Sequence, residues 1–160
     1  HGEATMILQP VLSYGKSGCV LNPFAGWMFT AFQVTQAGRA YCGPNIAVRE
    51  GDNLVGRMES AGDGKWNVVA DAGEKGKSTH SLTANFKANA AYLTLEGMVI
   101  YNCKAFPGTG VAFTGNSLQA PGGEQLDPMW KTDVRHSECK PRASVNHNND
   151  VQFDWETSTE

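Results

Sequence analysis

The chain has 160 residues, of which 41% are hydrophobic and 18% charged, and its formal net charge is −3. This length suits one domain of roughly 100 to 200 residues, and the composition suits a folded chain with a core. Lys and Arg form no cluster that would attract phosphates, and no apolar run approaches the roughly 20 residues that span a bilayer. We therefore predict a single domain over residues 1–160, with no nucleic-acid partner and no membrane partner.

Turn-forming residues punctuate the whole chain, because 18 Gly and 7 Pro stand among frequent Asn, Asp and Ser. Between them lie segments rich in β-branched and aromatic residues, which are typical of strands. In chain order the predicted strands are 6–13, 26–34, 46–48, 53–60, 65–70, 79–86, 91–101, 111–117 and 150–155. This pattern predicts an all-β fold, an antiparallel β-sandwich without a long helix.

Two hairpin turns and one long loop connect these predicted strands. The stretch AGDGKW contains Gly62 and Gly64 where a tight turn needs positive φ, and DAGEKGKST predicts a second hairpin turn. Residues 121–141 are polar with three prolines. We predict a surface loop there, held at Trp130 and Cys139.

The cysteines indicate an oxidising compartment. No zinc-type spacing is present among the four, Cys19, Cys42, Cys103 and Cys139. Two disulfides are therefore expected, and four cysteines allow three connectivities. We favour the sequential pairing of the first with the second and the third with the fourth, because it closes moderate loops within neighbouring hairpins. Disulfides of this kind predict a secreted protein.

Gln9 is an amide in the otherwise apolar stretch MILQPVLS, and Pro10 follows it directly. Because proline has no backbone N–H for a ladder, this strand should be an edge strand or carry a bulge. Gln9 would then face a cleft. The alternative is a buried amide that satisfies backbone groups at the bulge.

Glu96 is a carboxylate in the middle of a predicted strand. Alternation along this strand gives one apolar face and one mixed face. The apolar face has Ala91, Leu93 and Leu95, and the mixed face has Tyr92, Thr94, Glu96 and Met98. If the mixed face is concave, desolvation raises the pKa of Glu96. The alternative is an exposed Glu on a solvated sheet face.

Gln9 and Glu96 both belong to segments that resemble those of a known protein family. The chain resembles the glutamic peptidases, the eqolisin-like acid endopeptidases, in five segments that follow the family's order: MILQPVLSYG, GWMFTAFQV, IAVREGDNLVGRMES, AYLTLE, and VAFTGNSL with VQFDW. The resemblance implies a concanavalin-like jelly roll. It also implies that Gln9 is the oxyanion-stabilising amide and Glu96 the general base of a catalytic dyad. Two acidic positions of the family fall on Ser13 and Phe29 here.

The reaction implied by this resemblance is peptide hydrolysis, in which no metal or organic cofactor takes part. The expected partner is a polypeptide in a concave groove, with Trp27, Phe29 and Tyr92 as candidate substrate-binding aromatics. The same aromatics could stack on sugar rings. A lectin-like carbohydrate-binding module and a polysaccharide-cleaving enzyme that binds an oligosaccharide in this groove are therefore the alternatives.

His1 offers one further alternative, a copper site. A terminal amine and the imidazole of His1 could bind copper together with a second imidazole, from His80, His136 or His147. The sequence around those three residues does not select one of them. Our prediction for the metal is therefore none, with His1 as the minor alternative.

Overall fold

The computed structural model describes residues 6–22, 26–84, 88–97, 103–106, 108, 110–134 and 139–157. Residue contacts divide the chain into two compact units, His1–Ala88 and Asn89–Glu160. The prediction of a single domain stays a prediction.

The described part of the first unit consists of strands and their connections. The strands are β1 (Met6–Tyr14), β2 (Trp27–Thr35), β3 (Ala40–Cys42), β4 (Ile46–Ala47), β5 (Val55–Gly62), β6 (Lys65–Asp71) and β7 (Lys77–Thr83). One sheet has the order β1-β2-β3, with β4 also paired to β2, and the other has the order β5-β6-β7. All of these pairings are antiparallel.

The two sheets of this unit pack face to face, with β1 against β5 and β2 against β6 and β7. Their core contains the buried side chains of Phe29, Ala70 and Ala72, surrounded by half-buried apolar residues. A polar contact also crosses between the sheets, because the backbone N–H of Ala31 donates to Oγ of the buried Ser78 at 2.9 Å. This unit is therefore a small β-sandwich.

The second unit has shorter strands in its described part. They are β8 (Val111–Phe113), β9 (Leu118–Gln119), β10 (Gln125–Leu126), β11 (Arg142–Val145) and β12 (Val151–Asp154). One sheet has the order β11-β12-β8, and β9 pairs with β10. The turn between β11 and β12 is closed by Oδ1 of Asn146, which accepts hydrogen bonds from the backbone N–H groups of Asn148 and Asp150.

The predicted all-β, antiparallel fold is confirmed, and so are both hairpins. Between β5 and β6 the backbone has positive φ at Gly62, Asp63 and Gly64. Between β6 and β7 lies a single 3-10 turn, Gly73–Lys75. Within the described ranges no helix is long and apolar enough to cross a membrane.

One strand prediction is wrong in its described part. Residues 91–97 form no ladder, and residues 98–101 lie outside the described residues. The apolar alternation is present, since Leu93 and Leu95 are half-buried while Tyr92 and Glu96 are exposed. A strand also needs a hydrogen-bonded neighbour, which an alternating pattern does not supply.

The extents of other elements also differ from the prediction. Of the predicted strand 111–117, only residues 111–113 form a strand, β8, and β3, β9, β10 and β11 were not predicted. Residues 121–134 are mainly irregular and exposed, as expected for the predicted loop, and Trp130 is half-buried there. Strands of two to four residues carry too few side chains for an alternating pattern to identify them.

The predicted disulfide pairing is confirmed. Cys19 pairs with Cys42 in the first unit, with a Cα–Cα separation of 6.2 Å. Cys103 pairs with Cys139 in the second unit, with a Cα–Cα separation of 5.4 Å. Each unit is therefore cross-linked within itself.

Pro10 lies in an edge strand, as predicted, because β1 is at the end of its sheet among the described residues. Its ring also contacts the facing sheet. A methyl group added at Gly56 of β5 would collide with Cγ of Pro10. Glycine at position 56 therefore allows the two edge strands to approach closely.

We predict that Gly56→Ala destabilises the first unit by about 1 to 3 kcal/mol, because the new methyl group must displace the Pro10 ring. Urea denaturation followed by tryptophan fluorescence measures this change. The matched control is Gly122→Ala, since a methyl group at Gly122 meets no atom within 4 Å. Equal stabilities for the two variants would contradict the packing of Gly56 on Pro10.

Asp71 at the end of β6 is held by charged neighbours. Its Oδ2 lies 2.7 Å from Nζ of Lys77 and 3.6 Å from Nη2 of Arg57, and its Oδ1 accepts the backbone N–H of Gly73. The hydrogen bond from Lys77 is the main cause that lowers the pKa of Asp71 below its ordinary value of 3.8, and the bond from Gly73 adds to it. The charged form is therefore favoured in the folded state.

We predict that the stabilising contribution of Asp71 is complete above pH 3.8 and is lost as the pH falls through the lowered pKa of the folded state. The free energy of unfolding, measured by urea denaturation at a series of acidic pH values, should therefore decrease there. In Asp71→Asn this decrease should be shallower than in the parent. Asp63→Asn, which changes an exposed turn residue, is the control, and an equal effect of both substitutions would disprove the role of Asp71.

Candidate functional site

The register of β1 with β2 determines the face on which Gln9 lies. Pro10 pairs with Ala31 and contacts the facing sheet at Gly56. Since successive side chains of a strand point to opposite faces, Gln9 points away from the facing sheet. Its face of the first sheet is called the outer face below.

Three residues form a row across this outer face. Gln9 of β1 pairs with Phe32 of β2, and Phe32 pairs in turn with Cys42 of β3. Directly paired residues of antiparallel strands place their side chains on the same face of a sheet. The Phe32 ring therefore lies between the predicted catalytic amide and the disulfide.

The connection after β1 covers part of the outer face. Residues 15–22, which we call the strap, are tied to β3 by the Cys19–Cys42 disulfide. A methyl group added at Gly18 in the strap would lie 3.5 Å from Cε1 of Phe32. Phe32 is accordingly only 4% exposed, and Val20 in the strap only 3%.

Gln9 lies beside this covered region and is half-buried. Its side chain makes no hydrogen bond to any residue that the structure describes. Ser13 lies on the same face four residues further along β1, and its Oγ is buried without a hydrogen-bond partner in the described part of the chain. Within the described part of the chain, no group therefore competes with a ligand for the amide of Gln9.

Glu96 belongs to the second unit, in the described stretch 89–97, which contains no helix or strand. Its side chain is exposed, and it has no ion pair with a described residue. The neighbouring Leu95 is half-buried. The carboxylate is therefore open to water.

The three predicted substrate-binding aromatics differ in exposure. Trp27 is 38% exposed and Tyr92 is 76% exposed, whereas Phe29 is only 5% exposed. Phe29 packs with Ala70 and Ala72 in the core between the sheets. Its ring therefore stabilises the fold and is not available to a ligand.

Trp27 has an aromatic neighbour on the adjacent strand. It pairs with Tyr14 of β1, and the two ring centroids are 5.1 Å apart with an angle of 57° between the planes. Tyr14 is 70% exposed, and Leu12 on the same face is also exposed. These residues form an accessible aromatic pair at one end of the first sheet.

Across the described ranges, no three His, Cys, Asp or Glu side chains come together in a cluster that could hold a cation. His1 and His136 lie outside the described residues. Nε2 of His80 lies 2.8 Å from Oε1 of Gln33, so this ring is engaged in a hydrogen bond between the two sheets.

The sequence matches no family model and no curated protein. Among solved structures, the fold is similar to the crystal structure of aspergilloglutamic peptidase from Aspergillus niger. The TM-score is 0.58 and the sequences are 14% identical, and the match covers 95% of this chain and 98% of that chain. The chain therefore has a β-sandwich fold like that of a glutamic peptidase.

Phe32 and Tyr14 are neighbours of the candidate site residues, and local sequence does not determine which candidate each of them adjoins. Both are determined by the β1–β2 register. A two-residue turn would have set that register, but here a connection of twelve residues joins the strands. The predicted pairing of Cys19 with Cys42 was the sequence feature that indicated contact between the strap and β3.

Proposed function

We propose that the protein is a secreted acid endopeptidase of the glutamic type, with Gln9 and Glu96 as its catalytic dyad. The observation that carries the proposal is the fold likeness to aspergilloglutamic peptidase along 95% of the chain. Gln9 and Glu96 are also the residues that match the family's dyad in the sequence. The two disulfides support an oxidising, extracellular location.

The proposed chemistry uses the two groups in complementary roles. The Glu96 carboxylate accepts a proton from water as the oxygen of that water attacks the scissile carbonyl carbon. The Gln9 amide N–H donates a hydrogen bond to the developing oxyanion. Protonated Glu96 then returns the proton to the leaving amine, and the C–N bond breaks.

The states of both side chains are compatible with these roles. The carboxylate of Glu96 is exposed and unpaired within the described part of the chain, so water can reach it. The amide of Gln9 has no hydrogen bond to a described residue that would compete with an oxyanion. A preorganised donor of this kind acts on the transition state more than on the substrate.

We predict that cleavage of a denatured protein substrate occurs only in acid, at about pH 2 to 5, because the carboxylate must both accept and return a proton. Glu96→Gln is nearly isosteric and should abolish cleavage while the melting temperature changes little. Glu124→Gln changes another exposed glutamate of the second unit and should retain the parent rate. If the parent cleaves nothing in this range, or if Glu96→Gln cleaves as well as the parent, the proposal is wrong.

We also predict that Gln9→Ala lowers kcat by about 10² to 10³, the usual effect of deleting one oxyanion donor. The measurement is steady-state cleavage of a quenched fluorescent peptide at the optimum pH. Urea denaturation of the same variant checks that the first unit remains folded. A folded Gln9→Ala variant with the parent kcat would remove Gln9 from the mechanism.

A second candidate function is a carbohydrate-binding module, and the exposed Tyr14–Trp27 pair favours it. Exposed aromatic rings can stack on the apolar faces of sugars, and both rings of this pair are accessible. In this alternative, Gln9 and Glu96 would form hydrogen bonds with sugar hydroxyls. No acid-dependent cleavage is then expected.

For this second function we predict saturable quenching of tryptophan fluorescence by an oligosaccharide found on a glycan array. Trp27→Ala should weaken binding by about 1 to 3 kcal/mol, through lost stacking and burial. Tyr41→Ala removes an exposed ring of β3 that pairs with Arg39 and should bind like the parent. An array without any ligand, or equal effects of the two substitutions, would argue against sugar binding.

A further inference from the structure

We propose that the strap is a positioning device for Gln9: the disulfide-bonded strap holds the Phe32 ring in place, and the ring orients the side-chain amide of Gln9. Phe32 is thus a positioning residue, not a catalytic one. The chemical role of Gln9 rests on the function proposed above. The geometry of the device belongs entirely to the first unit.

The β1–β2 register places the side chains of Gln9 and Phe32 beside each other. The backbone N–H of Gly15 donates to the carbonyl of Gly26 at 2.9 Å, just beyond the end of the β1–β2 ladder. Hydrogen-bonded pairs alternate along an antiparallel ladder, so Gln9 and Phe32, six positions further along each strand, form a hydrogen-bonded pair too. The Cα atoms of such pairs are about 5.5 Å apart. Their side chains are therefore immediate neighbours on the outer face.

Several contacts hold the strap against Phe32 and its neighbours. Besides the disulfide, Nδ2 of Asn45 donates to the carbonyl oxygen of Cys19 at 3.2 Å. Oδ1 of the same Asn45 accepts the hydroxyl of the fully buried Thr30 at 2.8 Å. Val20 is buried, and Gly18 lies close to Cε1 of the Phe32 ring. The ring is consequently enclosed between β2 and the strap.

No hydrogen bond to a described residue fixes the direction of the Gln9 amide. Glutamine has several rotatable bonds and loses side-chain entropy when it is fixed. Because no described residue forms a hydrogen bond with it, its direction depends on packing against its cross-strand neighbour. An oxyanion donor must point at the reacting oxygen to be effective. Release of Phe32 should therefore reduce catalysis without preventing substrate from binding.

The experiment compares two disulfide deletions in the full chain. Cys19→Ser with Cys42→Ser removes the disulfide that holds the strap but none of its residues, and this double variant is called the strap deletion. Cys103→Ser with Cys139→Ser removes the disulfide of the second unit and is the matched control, called the control deletion. The main readout is the side-chain amide resonance of Gln9 in a nitrogen-proton correlation spectrum. This resonance is assigned to Gln9 because it is absent from the spectrum of the Gln9→Glu variant, which has no side-chain amide. A proton beside an aromatic ring is shifted by that ring, so the resonance reports the contact directly.

We expect the strap deletion to move the Gln9 amide resonance toward its unfolded-state position, and the control deletion to leave it unchanged. With a cleavable peptide, the strap deletion should lower kcat by about 10- to 100-fold, the effect of a catalytic group that is misplaced. KM should change little. A resonance that stays in place in the strap deletion, or that moves equally in both deletions, overturns the proposal.

Phe32→Leu with both disulfides intact provides a second route if the strap deletion fails to fold. Leucine keeps most of the apolar volume but removes the aromatic ring, so the same shift of the Gln9 resonance and the same loss of kcat are expected. An unchanged Gln9 resonance in Phe32→Leu overturns the proposal. If the parent shows no peptidase activity, the proposed function fails, while the resonance still decides whether the strap orients Gln9.

Discussion

The antiparallel ladder between β1 and β2 is the constraint on which the rest of the first unit depends. Its register sends Pro10 and Phe29 toward the facing sheet, and Gln9 and Phe32 toward the outer face. A register shift of one residue in either strand would turn the side chains of that strand to the opposite face. The pairing of β1 with β2 thus determines both which side chains form the core between the sheets and which lie beside Gln9 on the outer face. Any interaction that fixes the register protects both of them.

The sequence of β2 reflects its position between two packed layers. Phe29 packs on β6, and Phe32 packs under the strap, so the strand is covered on both faces. A strand of this kind reads as a nearly continuous run of apolar residues without clear alternation, as WMFTAFQVT does. The strap therefore extends a short sandwich with a small third layer. The Cys19–Cys42 disulfide holds that layer where few apolar side chains are available to do so.

The sequence predicted those features that depend on local chemistry. Gly62 and Gly64 indicated the hairpin turn, and Pro10 indicated the edge strand. The spacing of the four cysteines predicted the disulfide pairing correctly. It did not predict the burial of Phe29, because imperfect alternation in β2 leaves the face of each aromatic ring undefined. It also did not predict that 91–97 lacks a ladder, since pairing depends on a partner strand elsewhere in the chain. Long-range register is therefore the information that local patterns lack.

The contacts between the two sheets and the acid-sensitive ion pairs occupy different parts of the first unit. Asp52 and Asp71 bind lysines on the surface, and protonation in acid weakens those bonds. The sheets are joined instead by apolar packing and by bonds without carboxylates, such as Ala31 to Ser78 and Gln33 to His80. Nε2 of Gln33 donates to Sδ of Met6. The Oε1 atom of Gln33 therefore accepts a hydrogen bond from Nε2 of His80. An imidazole can donate this bond in its neutral form and in its protonated form. The β1–β2 register is thus supported by interactions that do not require a charged carboxylate, which is compatible with the function proposed in acid.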